Sequence, residues 1–473
     1  MTEGRAFDLN IQKVLEHWTV SEALREVIAN ALDEHAITGT AEPRITEDAR
    51  GNWHVRDFGR GLRYEHFTQN ENPEKLAKSK LVIGKFGVGL NDALATFDRH
   101  GINVTVHSKH ADITVEKQAK HGFQDVPTLH AVVAAPADPS MVGTDFVLSG
   151  LSRADVERAK DFFLRYSDDT ELESTSYGSV LARVEGDARI YVNGLRVAEE
   201  PNFLFSYNIT SLNKQLRAAL NRERSNVGRQ AYSDRVKAIL LACESSAVAD
   251  PLAEDLGSFD KGSSHDETGW LDVATHACRI LNAQQKVVFA SAFQLYTDAG
   301  LLNRAQGDGY RVVIVPENVA QKLPKLSDLD GNALRDLNEY REQWNQSFEY
   351  DFVALDDLSE AEQAIFSLSV AVLEVVRPEA KRVKEIRVSR TMRLNAGDGN
   401  EALGVWDGEE RRIVIKRDQL KTPHTFLGTL LHEIAHSVRD SWDVSQPFEE
   451  DLTHLLGLVG AAFTGCPSGS KNS

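Results

Sequence analysis

The stretch Glu26-Val-Ile-Ala-Asn30-Ala-Leu-Asp33 predicts a helix whose polar residues share one face. At 3.6 residues per turn, Glu26, Asn30 and Asp33 fall within one narrow stripe. The opposite arc is apolar and should pack against a sheet; it consists of Leu24, Val27, Ile28, Ala31 and Leu32. Taken alone, a polar stripe is more often a solvated helix face than a site. The motifs that follow along the chain favour a site.

Three glycine-containing motifs follow this helix. The first is Asp57-Phe-Gly59-Arg-Gly61, in which a buried carboxylate could accept an exocyclic amine and the glycines would leave room for a flat base. By itself this pattern is more typical of a simple turn. The second motif is Gly84-Lys85-Phe86-Gly87-Val88-Gly89-Leu90, whose backbone N–H groups could approach phosphate oxygens at the start of a helix. The third is Gly143-Thr144, just before a predicted strand.

In this order, the four pieces resemble the GHKL ATPases: the ninety-kilodalton heat-shock chaperones, MutL, type II topoisomerases and especially the MORC group. The resemblance covers about the first 230 residues. It implies a Bergerat-type α/β sandwich that binds ATP, and an N-terminal arm that joins two copies into an ATP-dependent homodimer. Strands are expected at 44–46, 53–56, 104–106, 129–133 and 145–148.

The resemblance also implies a role for each residue of these motifs. Glu26 would be the general base that activates water, and Asn30 would be the oxygen ligand of Mg²⁺. Asp57 would hold adenine, helped through water by the Thr144 hydroxyl. Asp33 would be a neighbour of the base pocket or a structural carboxylate. The remaining cofactor-binding residues would be Gly59, Gly61, Gly84, Lys85, Phe86, Gly87, Val88, Gly89 and Leu90.

Residues 151–248 predict a second α/β unit, similar to the transducer of GHKL proteins. Asn193-Gly194 between two apolar runs is a strong hairpin signal, and a helix is expected from Tyr232 to about Ala247. The resemblance implies a basic residue here that contacts the γ-phosphate. The candidates are Arg222, Arg224 and Arg229, of which Arg224 is taken as the γ-phosphate ligand. A salt-bridged loop is an equally weighted alternative.

Residues 249–268, rich in Gly and Ser, predict a linker. Beyond it, 269–345 should contain a helix, an apolar Val287–Ala290 run and a strand at Arg311–Val315, but no chemistry is readable there. The domain boundaries expected are 1–150, 151–248, 249–349 and 350–466, followed by a flexible tail at 467–473.

A second functional signal is His432-Glu433-Ile-Ala-His436, in a helix predicted to begin at Thr422-Pro423 and to reach Asp440. Histidines at i and i+4 project from one face and can bind one Zn²⁺, while Glu433 can act on its water. A five-residue pattern also occurs by chance. Two further features favour the metal: a turn at Trp406-Asp-Gly408, and a strand at Ile413–Lys416, expected as the edge strand that pairs with a peptide.

The third zinc ligand is expected at the start of the next helix, near Phe448. This stretch resembles gluzincin-type peptidases, which implies Glu449 as the ligand and leaves Asp451 as an alternative. The acidic cluster could instead complement the helix dipole. His454 is a further candidate, structural or facing a substrate.

Composition limits the classes of protein. Net charge is −18 and the pI is about 5.3, which does not support a nucleic-acid partner, although a local basic groove stays open. Three well-separated cysteines predict reduced thiols. The chain shows no apolar run of spanning length and no signal-peptide pattern, so a cytoplasmic location is expected.

Taken together, these patterns predict an α+β multidomain chain: a Bergerat-type ATPase domain, an α/β transducer and a mostly helical zincin domain. The leading interpretation is an ATP-dependent homodimer in which nucleotide binding gates a zinc peptidase acting on a polypeptide, in bacterial antiphage defence. Glu26 and Glu433 would be the catalytic residues, with ATP, Mg²⁺ and Zn²⁺ as cofactors. One alternative is an ATP-dependent clamp or chaperone-like switch with a structural zinc; another is a nucleic-acid sensor.

Overall fold

The structure, a computed structural model, describes residues 5–9, 18–67, 82–83, 88–120, 123–220, 227–259, 262, 264–395 and 399–464. The chain divides into two compact units, Met1–Ile280 and Leu281–Ser473. Among the described residues, no helix combines the length and apolar character needed to cross a lipid bilayer.

The first unit contains a seven-stranded sheet in which every neighbouring pair is antiparallel. Its strands are β1 (Arg5–Asp8), β2 (Arg44–Glu47), β3 (Trp53–Arg56), β4 (Asn103–Ser108), β5 (Asp112–Lys120), β6 (Phe123–Ala134) and β7 (Thr144–Ser149). Their order is β1-β6-β5-β4-β7-β3-β2. The five strands expected from sequence in this region are all present.

Three helices share one hydrophobic core with this sheet: α1 (Val20–Thr38), α2 (Val88–Arg99) and α3 (Arg153–Lys160). A capping box between Thr19 and Glu22 begins α1, and Gly39 ends it at φ 65°. The predicted apolar arc of α1 is buried throughout. Its polar stripe is not a solvated face, because Glu26 and Asp33 are 2% and 1% exposed.

A five-stranded sheet follows, with strands β8 (Glu171–Thr175), β9 (Gly178–Leu181), β10 (Ala188–Val192), β11 (Leu195–Glu200) and β12 (Ser206–Ile209) in the order β11-β10-β12-β9-β8. Only the β10–β12 pair is parallel. The predicted hairpin is confirmed: β10 and β11 are joined by Asn193 and Gly194, both at positive φ. The helices that follow are α4 (Lys214–Leu220), α5 (Ser233–Leu240) and α6 (Ser246–Leu256).

Two expectations in this region were wrong. The single helix predicted from Tyr232 to Ala247 is interrupted, because α5 ends at Leu240 and α6 begins after its cap, Ser245. The segment predicted as a linker begins inside α6 and continues into an ordered turn. There, the fully buried Glu267 carboxylate accepts the backbone N–H of Leu204 and the hydroxyl of Tyr207. Gly/Ser composition alone could not reveal these buried polar partners.

The division between the units falls within α7 (Leu271–Gln284). After the end of α7, the second unit contains a parallel pair, β13 (Val287–Ser291) and β14 (Arg311–Val315). The strand predicted at Arg311–Val315 is present, and the apolar run at Val287–Ala290 forms its partner. The surrounding helices are α8 (Gln294–Thr297), α9 (Ala299–Gly307), α10 (Glu317–Ala320) and α11 (Leu337–Gln346).

The rest of the second unit packs three helices against a four-stranded sheet. The strands are β15 (Phe352–Val353), β16 (Glu385–Ser389), β17 (Gly404–Asp407) and β18 (Arg412–Lys416), in the order β15-β16-β18-β17. The helices are α12 (Glu360–Val375), α13 (Pro423–Arg439) and α14 (Gln446–Phe463). Short 3₁₀ turns lie at Tyr64–Phe67, Leu164–Tyr166, Arg229–Ala231, Leu323–Lys325, Leu355–Asp357 and Arg417–Lys421.

Candidate metal centre and nucleotide pocket

Helix α13 carries the His-Glu-x-x-His motif in its last two turns. Thr422 caps the helix by accepting the Thr425 amide, and Pro423 occupies the first turn, as the sequence predicted. Its apolar face, which includes Phe426, Leu430 and Ile434, is buried in the core of the second unit. This packing fixes the direction in which the opposite face presents its histidines.

The two histidines of α13 converge on a single carboxylate. His432 Nε2 and His436 Nε2 lie 3.2 Å apart, and Asp443 Oδ1 lies 3.1 Å from the first and 3.2 Å from the second. Among the described residues, this is the one group of three or more His, Cys, Asp or Glu side chains whose donor atoms lie close enough to share an ion.

The dimensions of this donor triangle fit zinc. With zinc–ligand distances of about 2.0–2.1 Å, two donors of a tetrahedral site are separated by about 3.3–3.4 Å. The observed edges of 3.1–3.2 Å are close to that value. Two imidazoles and one carboxylate also match the ligand types of hydrolytic zinc sites.

The ring of His436 is oriented by a backbone partner. Its Nδ1 lies 2.7 Å from the carbonyl oxygen of Ser441, so Nδ1 carries the proton and Nε2 keeps its lone pair for a metal. The Phe448 ring stacks on His436 at a centroid distance of 4.5 Å and contacts His432 edge-on at 4.8 Å. Burial and the neighbouring His436 lower the pKa of His432, which favours its neutral, metal-binding form.

Glu433 occupies the position expected of a general base. It is 6% exposed, and burial raises the pKa of its carboxyl group to about 8, against a smaller opposing effect from the Trp406 backbone amide. Gly404 of β17 passes directly over it. A Cβ atom at Gly404 would lie 2.7 Å from Glu433 Cγ, so only glycine permits this approach.

A cleft of about 1140 Å³ opens beside these residues, bounded on one side by β17. The sequence assigned the edge strand to Ile413–Lys416, but β18 lies between β16 and β17, and β17 forms the edge. Trp406 therefore lies in a strand and not in a turn. Its Nε1 donates to Asp440, the left-handed residue that ends α13, and so ties the edge strand to the metal helix.

The third donor differs from the sequence expectation. Glu449 is exposed on α14 and does not join the group; its neighbour Phe448 is the residue of this helix start that contacts the histidines. Asp451, the alternative, is held by Arg439 at 2.5 Å. His454 contacts Glu379 instead. The resemblance implied a ligand in α14, whereas the candidate third donor, Asp443, lies in the connector between α13 and α14.

In the first unit, the pair expected to hold adenine is brought together. Asp57 is 6% exposed, and its Oδ1 accepts the backbone N–H of Gly59 at 2.8 Å and that of Thr144 at 3.3 Å. Burial raises the pKa of Asp57 despite these hydrogen bonds. Gly143, at φ 80°, lies so close that a Cβ there would be 2.0 Å from the Asp57 carbonyl oxygen. Gly61 is also left-handed, at φ 85°.

The helix stripe lies in the same unit. The Glu26 carboxylate accepts a hydrogen bond from the guanidinium of the fully buried Arg25 at 3.0 Å. The sequence did not predict this ion pair. Asp33 accepts the Ile83 amide at 2.6 Å, which supports the structural carboxylate reading, and Asn30 is half-buried. Of the glycine-rich segment, Gly84, Lys85, Phe86 and Gly87 lie outside the described residues. Val88, Gly89 and Leu90 form the first turn of α2, in agreement with the helix start expected at this motif.

Comparisons with known proteins give relatives in one organism. A Mycoplasma pneumoniae protein, described as uncharacterised, is 37% identical over 240 residues, which cover 50% of this chain and 96% of the relative. The chain belongs to the family of this protein. A second Mycoplasma pneumoniae protein, described in the same way, is 24% identical over 348 residues, covering 67% of this chain and 96% of its own length.

A family model described as the Mycoplasma pneumoniae MPN635 N-terminal domain matches residues 154–246, which contain the five-stranded sheet. The predicted γ-phosphate sensors belong to this segment, and Arg222 and Arg224 lie outside the described residues. Arg229 forms an ion pair with Asp266 at 2.6 Å, and its guanidinium lies over the Phe203 ring. For Arg229, these contacts agree with the alternative of a salt-bridged loop.

Proposed function

We propose that the second unit of this chain is a zinc-dependent peptidase. One observation carries the proposal: the near-equilateral triangle formed by His432, His436 and Asp443, with the buried Glu433 beside it. The cleft along the edge strand β17 supports a polypeptide as the substrate, because an extended chain can add itself to an open sheet edge.

The residues of the chain have distinct roles in this proposal. His432, His436 and Asp443 would hold the metal. When bound, zinc would polarise the scissile carbonyl and lower the pKa of a water molecule. The Glu433 carboxylate would take the proton of the attacking water and return it to the leaving nitrogen. A pKa raised towards neutrality by burial suits a group that both takes and gives a proton.

Catalysis is favoured over a purely structural zinc by the number of donors and by their setting. A structural site is closed by four protein ligands, whereas a catalytic site has three and an open position. Three donors converge among the described residues, and they line an open cleft. Asp443 itself is exposed, with 64% of its side chain accessible.

The peptidase proposal is tested with Glu433→Gln, which removes the base and keeps the three donors. The variant should bind one zinc per chain and lose cleavage of an unfolded polypeptide such as casein. Glu449→Gln is the matched control, since Glu449 is an exposed acidic residue of α14 outside the donor group; it should keep both properties. Cleavage that survives Glu433→Gln would contradict the peptidase.

The first unit, in this proposal, binds and hydrolyses ATP with Mg²⁺, and its nucleotide-driven dimerisation gates the peptidase, in bacterial antiphage defence. The support is the buried Asp57–Thr144 pair at the sheet, together with the buried Glu26 and half-buried Asn30 on α1. A fixed, desolvated carboxylate is suited to reading an exocyclic amine.

Calorimetry and hydrolysis assays test this second part. Asp57→Asn should weaken ATP binding by at least about tenfold, since one carboxylate oxygen that can accept from the adenine amine is replaced by an N–H₂ group that can only donate. Glu26→Ala should keep ATP binding and lose hydrolysis. Sedimentation of Glu26→Ala with and without ATP then tests dimerisation. ATP hydrolysis at the wild-type rate in Glu26→Ala would overturn the assigned base.

A further inference from the structure

The connector between α13 and α14 presents a tryptophan to solvent at the metal centre. Trp442 immediately precedes Asp443 and is 85% exposed, although it lines the same cleft as His432 and Glu433. A bare indole of this size is costly to keep in water, and aromatic side chains are strongly enriched where proteins bind one another.

The backbone on both sides of Trp442 is tied to the donor group. The preceding residue, Ser441, accepts His436 Nδ1 through its carbonyl oxygen. The following residue, Asp443, contacts both histidines. The carbonyl of Trp442 itself accepts the Ser445 hydroxyl at 2.6 Å. The backbone that carries the indole is therefore fixed beside the donor group, which reduces the entropy lost when the side chain binds a partner.

The chemistry of the cleft selects the kind of side chain that would meet this indole. Its lining includes Val405 of the edge strand and, just before that strand, Ala402 and Leu403; Leu403 is 50% exposed. Among the described lining residues there is no lysine or arginine, whereas Glu433, Asp440 and Asp443 are acidic. The described lining therefore offers no basic side chain to pair with an acidic residue of a substrate, whereas Trp442 and Leu403 give it exposed apolar surface.

We propose that Trp442 is a specificity-determining residue that contacts the substrate and selects a polypeptide with a large apolar side chain next to the scissile bond. The inference rests on the proposed peptidase function, since it names the substrate class of that same cleft. The segment would lie extended along β17, with its apolar side chain against the Trp442 indole and Leu403.

The test measures binding in the zinc-loaded Glu433→Gln background, where no turnover interferes. Two fluorescein-labelled peptides are compared by anisotropy, identical except for a central Leu-Phe in one and Ser-Gly in the other. The Leu-Phe peptide should bind at least about tenfold more tightly, and Trp442→Ala should abolish that preference. Val444→Ala is the matched control: Val444 is 92% exposed in the same connector but does not line the cleft, so the preference should remain.

The outcomes separate this inference from the function on which it rests. If the Leu-Phe peptide binds the background protein and Trp442→Ala retains the preference, Trp442 is not the specificity residue, while the peptidase stands. If neither peptide binds the zinc-loaded protein, and wild-type protein also fails to cleave casein, the proposed function itself falls. Zinc content, measured in every variant, must stay at one per chain, and its loss in Trp442→Ala would assign the residue to metal-site folding and overturn the inference.

Discussion

Replacing Asp443 tests which residue completes the metal centre. In Asp443→Asn, the amide keeps the size of the side chain but removes the one anionic donor of the triangle, which lies 3.1 and 3.2 Å from the two histidine nitrogens. Removing an outer-shell partner of a metal ligand typically weakens affinity by about 10- to 100-fold. Loss of a direct donor should weaken zinc binding by at least about 100-fold, equivalent to about 2.7 kcal/mol.

The affinity is measured by competition with a zinc-buffering chelator at pH 7.5, with Glu449→Gln as the matched control. Both substitutions remove one negative charge close to the start of α14, so a general electrostatic effect would alter both. The structure predicts a large loss for Asp443→Asn and an affinity within about twofold of wild type for Glu449→Gln. A large loss of zinc affinity in Glu449→Gln, with little change in Asp443→Asn, would favour Glu449 as the third ligand and refute the donor triangle.

Two further predictions concern stability. Gly143→Ala should lower the free energy of unfolding by at least about 2 kcal/mol more than Gly51→Ala, because both glycines have φ 80° but only the Gly143 Cβ would meet backbone; thermal melts of both variants check this. Hydrogen bonds from Arg417 and Ser359 lower the pKa of Glu362 from 4.5 to about 2. Because the pKa of Glu362 is lower in the folded than in the unfolded chain, its ionised form stabilises the fold above pH 4.5. This stabilisation is lost as the pH falls from about 4.5 towards 2. The free energy of unfolding of wild type should exceed that of Glu362→Gln by about 1 kcal/mol at pH 6, and the difference should disappear near pH 2. A difference that does not change with pH would contradict the stabilising role of the Glu362 carboxylate.

Much of the fold could be predicted because local patterns and tertiary packing agree. The apolar arc of α1, the Asn193-Gly194 hairpin and the Thr422-Pro423 start of α13 each depend on residues close in sequence. Where polar partners come from distant segments, prediction failed. The turn held by Glu267 resembled a linker, since its carboxylate is satisfied by the backbone at 204–205, some sixty residues earlier.

The candidate sites show the same division. The His432–His436 pair follows from helical periodicity, and the proximity of Asp57 and Thr144 was implied by the resemblance. Asp443 could not be found by periodicity, because α13 ends at a left-handed Asp440 and the connector then turns back over the last helical turn. The available signal was an acidic residue seven positions after His436, in a connector too short to move far from it.

X-ray absorption spectroscopy at the zinc edge, on protein loaded with one zinc per chain, is the most direct measurement of the proposed centre. We expect two imidazole nitrogens, one carboxylate oxygen from Asp443 and one exchangeable oxygen, all at about 2.0–2.1 Å, with one imidazole shell lost in His432→Ala. A spectrum with four protein ligands that stays unchanged when a hydroxamate inhibitor is added would contradict an open, catalytic zinc.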